Sequence, residues 1–279
     1  MIGARVTLWR VAVITGERVT TAQGGFNPSF QRHRAEYALC ASLLGPGRVL
    51  DLGCGTGHSY ELLAPRETVG VDLDPAALSG QDRETHVADM RRLPFTPQTF
   101  DAVVSIQSIE HVPDPEQVLA EVSRVLRPDG RAIFVTPNRL TFGRPDEIID
   151  PYHYVEYDAE DLRTLCNRFF ASVEVRALHA SPRYMAIHDD ERRELERLLA
   201  RDPLRIRRLI PRRLAQRLYD RRLSGDRVRP RPGAIEITPE DFWLSSERLN
   251  EAIDLFAICD RPAAREGTSV SAADRRGAA

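Results

Sequence analysis

Between Arg48 and Asn138 the chain repeats one pattern: a short apolar run, a turn, a helical segment, then another apolar run. The runs are RVLDLG (48–53), TVGVDLD (68–74), THVADM (85–90), FDAVVSIQS (100–108) and RAIFVTPN (131–138). Most are apolar rather than alternating, so the strands they form need cover on both faces. With helices interleaved, that requirement predicts a parallel sheet layered between helices. SVEVRAL (172–178) and IDLFAIC (253–259) bring the expected strand count to seven.

The helical segments carry their own punctuation. From Asn27 to Leu44, the residues Phe30, Tyr37, Ala38, Leu43 and Leu44 recur at helical intervals, and Gly45-Pro46-Gly47 ends the run. SYELLAP (59–65) reads as helix, and Pro75 opens another. Residues 114–130 form the clearest case, with Asp114 as cap, Gln117 three residues on, Pro115 in the first turn and Gly130 past the end. Asp158 caps a helix over 158–169.

A chain of 279 residues, 42% hydrophobic and 29% charged, can bury a full core without cross-links. Its four cysteines form no CxxC pair, which argues against a zinc site or disulfide framework and fits a reducing cytoplasm. No stretch reaches the roughly 20 apolar residues of a membrane helix. Residues 1–25 read as an N-terminal extension without signal-peptide character, and 262–279 as a disordered tail.

The first apolar run ends in VLDLGCGTG (49–57). In an open α/β sheet, ligands bind where strands end. Glycines there permit positive φ and close approach of a ligand to the backbone. The spacing is GxGxG (Gly53, Gly55, Gly57), and His58 stands where a dinucleotide fingerprint places its third glycine. That disfavours an NAD-dependent dehydrogenase. Asp51 precedes the glycines and would repel a pyrophosphate but suit a cationic group. Asp72, in VGVDLDP, can accept two hydrogen bonds from a vicinal diol.

VLDLGCGTG resembles the first motif of class I S-adenosylmethionine (SAM)-dependent methyltransferases. VGVDLDP, VADMRRLPFTPQTFDAVVS and IEHVPDPEQVLAEVSRVLRPDGRAIFVTPN follow in the order of the type 11 methyltransferase domain, similar to ubiquinone and menaquinone biosynthesis enzymes. The resemblance spans about residues 30–180. It implies a Rossmann-like fold, a mostly parallel seven-stranded sheet with helices on both faces, and a helical insertion between the last two strands. The implied organisation is a SAM-binding core over 26–180, an arginine-rich helical cap over 181–250 and a final core strand over 251–261. SAM is the implied cofactor. Carried over, Gly53, Gly55 and Gly57 face the methionine part and sugar, Asp51 the ammonium or sulfonium side, and Asp72 the ribose, with Leu73 against adenine. Asp89 accepts from the adenine amine, Met90 packs on the ring, and Gln107 lies beside the methionine part.

Methyl transfer needs an aligned nucleophile and often a base. His111, just after the fourth strand, is the candidate base, and packing over the cofactor is its other reading. Glu110 beside it either orients His111 or binds a metal; no metal site is assigned. His153 and Tyr157, in DPYHYVEYDAEDL (150–162), are read as acceptor-pocket residues, together with Phe26 from GGFNPSFQRHRAEY (24–37). Phe30, His33 and Tyr37 of that stretch form either a lid or an amphipathic helix on the sheet. His58 and His86 read as structural. The acceptor is expected to be a small molecule methylated at oxygen: a glycan, a phenol or a specialised metabolite. The alternatives are an RNA methyltransferase and a SAM-binding protein without catalysis.

Residues 191–230 hold 14 arginines against six acids in a chain of net charge −2. Leucines and isoleucines recur there at three and four, which predicts two amphipathic helices divided near Pro211. The plainest reading is a cap with its arginines in water. An anionic-acceptor groove and peripheral contact with an anionic membrane are the sharper ones. Nucleic acid is disfavoured, because Tyr219 is the segment's sole aromatic residue. The oligomeric state is not legible.

Overall fold

The computed structural model of the chain describes residues 27–202, 204–226 and 232–262. The expected extension, Phe26 and the tail beyond Pro262 lie outside the described residues. The strands are β1 (Arg48–Leu52), β2 (Glu67–Asp72), β3 (Glu84–Val87), β4 (Phe100–Ile106), β5 (Leu126–Pro137), β6 (Phe170–Ala180), β7 (Phe242–Ser245) and β8 (Asp254–Pro262). The helices are α1 (Asn27–Leu43), α2 (Pro75–Leu78), α3 (Pro115–Val125), α4 (Arg139–Phe142), α5 (Ala159–Asn167), α6 (Pro182–Leu199) and α7 (Arg212–Asp226). Among the described residues, no helix is long and apolar enough to cross a membrane.

The strands form one sheet in the order β3-β2-β1-β4-β5-β8-β6-β7. Neighbours from β3 to β5 are parallel, while β8 runs antiparallel to both β5 and β6. The chain leaves β1 toward β2 and β3, then returns to β4 on the other side of β1. That reversal opens a crevice beyond the carboxyl ends of β1 and β4.

Side chains alternate across the sheet. Leu50 and Leu52 of β1 face a core shared with Val118, Leu119 and Val122 of α3 and Leu162 of α5. Val49 faces the opposite core, with Ala35, Tyr37 and Cys40 of α1 and Tyr184 of α6. Helices therefore cover both faces, as the apolar strands require.

The structure departs from the sequence reading in three places. The sheet has eight strands, because FWLS (242–245), in the segment read as a helical cap, pairs antiparallel with Ala177–Ala180 of β6. The helix after Asp114 stops at Val125, well short of Gly130. Pro128 disfavours helical backbone at Arg127. Leu126 pairs with Phe100, and the ladder resumes only at Arg131 opposite Ala102, so RPDG bulges out of β5. Residues 59–65 make only one 3-10 turn, Tyr60–Leu63. Asp114 and Asp158 do cap their helices, accepting from the amides of Gln117 and of Glu160 and Asp161.

Candidate active site

The crevice at the strand ends is a cavity of about 690 Å³, within the range of small-molecule sites. The turn after β1 forms its floor. Gly53 has φ +75°, and a Cβ there would lie 2.6 Å from that of Ser108, so only glycine fits. Gly55 has φ +53°, and a Cβ on it would stand in open space. Its amide donates to Asp72 Oδ2 at 2.9 Å, while Oδ1 of the same carboxylate accepts from the Asp74 amide at 2.9 Å. The two amides fix the orientation of the Asp72 carboxylate in the cavity wall.

Leu73, 70% exposed, and Met90 line the same cavity. Asp89 lines it too, gripped through both oxygens by Arg91. The hydrogen bonds from Arg91 hold the Asp89 carboxyl below its usual range. Gln107 leaves β4 with φ +50°, and its Nε2 donates to Glu36 at 2.9 Å and to Asp254 at 3.0 Å. Arg32 lies 3.9 Å from Glu36 and 3.6 Å from Asp254. Burial, and then the charge of Asp254, lift the Glu36 carboxyl well above the ordinary range.

Two expected cofactor residues stand apart. Asp51 does not line the cavity. It shares the face of Val49, and its carboxylate is 1% exposed. It accepts from Arg83 Nη2 at 2.8 Å and from the Tyr37 hydroxyl at 3.0 Å. Burial works against the Arg83 charge, but Asp51 outweighs it and raises the guanidinium pKa. Asp51 thus ties α1 and the β3 approach to β1. Gly57 lies past the cavity wall, with Gln81 where its side chain would be.

His111 does line the cavity. Its Nδ1 lies 3.3 Å from the Tyr152 carbonyl oxygen. A carbonyl only accepts, so Nδ1 carries the hydrogen and the neutral ring keeps its lone pair on Nε2. Glu110 is buried outside the cavity, accepting from Thr136 Oγ1 at 3.1 Å. Its backbone oxygen accepts from the Tyr154 amide at 2.8 Å and docks that loop onto the end of β4.

His153 and Tyr157 are buried behind the cavity wall instead of lining it. His153 bonds Glu156 at 2.9 Å, and its ring centroid lies 5.0 Å from that of His111. Burial opposes a charge on His153, but the bond to Glu156 and the charges of Glu110 and Asp150 prevail and raise its pKa. Among the described residues, Glu110, His111 and His153 each offer a donor atom within 4.8 Å of the others. A divalent ion there would compete with a proton for the His153 ring. Tyr154, next in the chain, is the loop residue that does reach the cavity.

The arginine-rich segment braces this loop rather than lying wholly in water. Arg207 and Arg208 bind Glu147 at 2.6 and 2.8 Å. Arg144 binds Glu196 at 2.6 Å. Arg212 donates to the carbonyls of Pro151 and Tyr152 at 2.8 Å each, and its guanidinium lies 3.4 Å from the centroid of the Tyr154 ring. The same Tyr152 carbonyl receives both Arg212 and His111.

His58, read from the sequence as structural, is a cavity residue whose ring lies 4.9 Å from Phe30 and 5.8 Å from His33. Its place after the third glycine was the available signal. Burial lowers the His58 pKa to about 4. His33 and Tyr37 line the cavity as well.

A family model described as "Methyltransferase domain" matches residues 50–134. A "probable S-adenosylmethionine-dependent methyltransferase" of Mycolicibacterium smegmatis is 30% identical over 259 residues, covering 89% of this chain and 95% of its own. A ubiquinone biosynthesis O-methyltransferase of Alkalilimnicola ehrlichii is 36% identical over 119 residues, covering 38% of this chain and 48% of its own. A SAM-dependent methyltransferase from Thermotoga maritima superimposes with a TM-score of 0.57 at 15% identity, over 85% of this chain and 92% of its own, a likeness of fold.

Proposed function

This chain belongs to the SAM-dependent methyltransferases, and from that premise we propose that it methylates a hydroxyl oxygen of a small-molecule acceptor with His111 as general base. The observation that carries the proposal is the His111–Tyr152 bond. It turns a protonated Nδ1 away from the reaction and leaves Nε2 able to take the acceptor's proton. SAM, when bound, supplies a methyl group already activated on a sulfonium.

The chain's own residues have three tasks. Asp72 accepts from the ribose hydroxyls while its amide partners keep it oriented. Asp89 accepts from the adenine amine, with Leu73 and Met90 against the ring. Gln107, whose nitrogen is committed to Glu36 and Asp254, turns its carbonyl oxygen to the methionine ammonium. Tyr154 and His111 border the acceptor, and Glu110, His153 and Tyr157 act from behind the wall by fixing the loop. The oxygen assignment is supported by the name of the Alkalilimnicola relative. It leaves glycans, phenols and specialised metabolites as acceptor classes.

The test is transfer of a labelled methyl group from SAM to a panel of phenols and sugars, with wild type and His111→Ala. The variant should bind S-adenosylhomocysteine as wild type does and lose about 10²–10⁴-fold in kcat. Undiminished turnover would refute the base, and transfer restricted to amines would refute the oxygen.

A further inference from the structure

Between Arg212 and Arg221, helix α7 turns a polar face inward and Leu214 and Leu218 outward. Arg212, Gln216, Tyr219 and Asp220 bind the loop beneath: Arg212 and Gln216 reach the Pro151 carbonyl, Tyr219 reaches Asp150, and Tyr152 donates to Asp220 at 2.7 Å. At 100° per residue these four lie on one side of the helix. The opposite side carries Leu214, Arg217, Leu218 and Arg221, with Arg213 on its flank, all exposed. Leu214 and Leu218, one turn apart, are 48% and 49% exposed. The turn that leads into α7 adds Leu204 at 81% and Leu209 at 82%. A single exposed leucine is ordinary, but a row of them beside arginines marks a contact surface.

We propose that the outer face of α7, with the turn before it, docks on an anionic lipid bilayer. The outward positions Leu214, Arg217, Leu218 and Arg221 include no acid, so the face complements negative charge. Leucines would enter the acyl boundary while the arginine stems lie along it with their heads among the phosphates. RNA is a poorer match, since the segment's one aromatic, Tyr219, points inward to Asp150. A second copy would bring like charge against like. Because α7 sits on the loop that carries Tyr154, the bilayer would lie beside the acceptor entrance. The inference rests on this surface alone and holds whatever the role of His111.

The experiment is co-sedimentation of the full chain with phosphatidylcholine vesicles and with vesicles also containing phosphatidylglycerol, at low and high salt. Binding should require the anionic lipid and weaken with salt. Arg213→Gln with Arg217→Gln should weaken it roughly thirtyfold, and Leu214→Glu with Leu218→Glu at least about tenfold. Both double variants should keep wild-type affinity for S-adenosylhomocysteine, which shows that they fold. Three results would overturn the proposal. They are no binding to either vesicle, unchanged binding by the glutamate variant, or a dimer or RNA complex that the same substitutions abolish while vesicles stay unbound.

Discussion

Asp51→Ala separates a structural acid from a cofactor-binding one. The carboxylate is 1% exposed and its partner Arg83 4% exposed. Removing it leaves a buried guanidinium whose Nη1 already lacks a partner, together with an unpaired Tyr37 hydroxyl. Breaking a buried ion pair from one side costs about 3–5 kcal/mol. The orphaned hydroxyl adds about 1 kcal/mol. A loss near 5 kcal/mol is a large fraction of a typical folding free energy of about 5–15 kcal/mol. At about 2–4 °C per kcal/mol for a chain of this size, the melting temperature should fall by roughly 10–20 °C. The assay is thermal and urea unfolding by circular dichroism, beside calorimetry with S-adenosylhomocysteine well below the variant's transition. Asp51→Leu paired with Arg83→Met should recover much of the loss, because two apolar groups leave no charge stranded. The reasoning fails if Asp51→Ala melts within about 2 °C of wild type while affinity for S-adenosylhomocysteine collapses. That pair of results would mean the carboxylate serves the ligand and not the fold.

Asp72→Ala should weaken S-adenosylhomocysteine binding by about 10²–10⁴-fold, the worth of two hydrogen bonds to a charged acceptor; unchanged affinity in calorimetry would remove Asp72 from the ribose site. His58 makes a pH prediction. Burial depresses its folded pKa to about 4, against an ordinary 6.5, so its contribution is complete above pH 6.5 and is lost as pH falls toward 4. The loss is about 2 kcal/mol at pH 5 and about 3 kcal/mol at pH 4. His58→Phe should flatten that part of the stability-versus-pH curve measured by urea unfolding, and an identical slope in the variant would show that His58 does not titrate this way.

Much of the fold is legible locally. The apolar runs, the proline and aspartate caps and the glycine turn depend on residues a few positions apart. So did the placement of Asp72, Leu73, Asp89, Met90, Gln107 and His111, which all line the cavity because each closely follows the end of a core strand. β7 was illegible because FWLS is too short to show a period; its place comes from pairing with Ala177–Ala180. Helix α3 was read too long because its capping pattern was stronger than the break at Pro128.

The sequence alone determined a layered, mostly parallel sheet with a glycine turn at its first strand end, since periodicity and turn chemistry are properties of neighbours. Tertiary structure decided which acids face the cavity and which hold the fold. Asp51 and Asp72 each lie near the end of an apolar run, yet one meets Arg83 and Tyr37 in the core while the other meets the Gly55 amide in the cavity wall. It also decided that the arginines of 205–212 brace the loop of Glu147 and Tyr154, and that Leu214 and Leu218 face outward. These outcomes depend on charges and carbonyls brought together from 14 to 61 positions away. A buried charge is bound by whichever partner the fold delivers, and spacing along the chain does not name that partner.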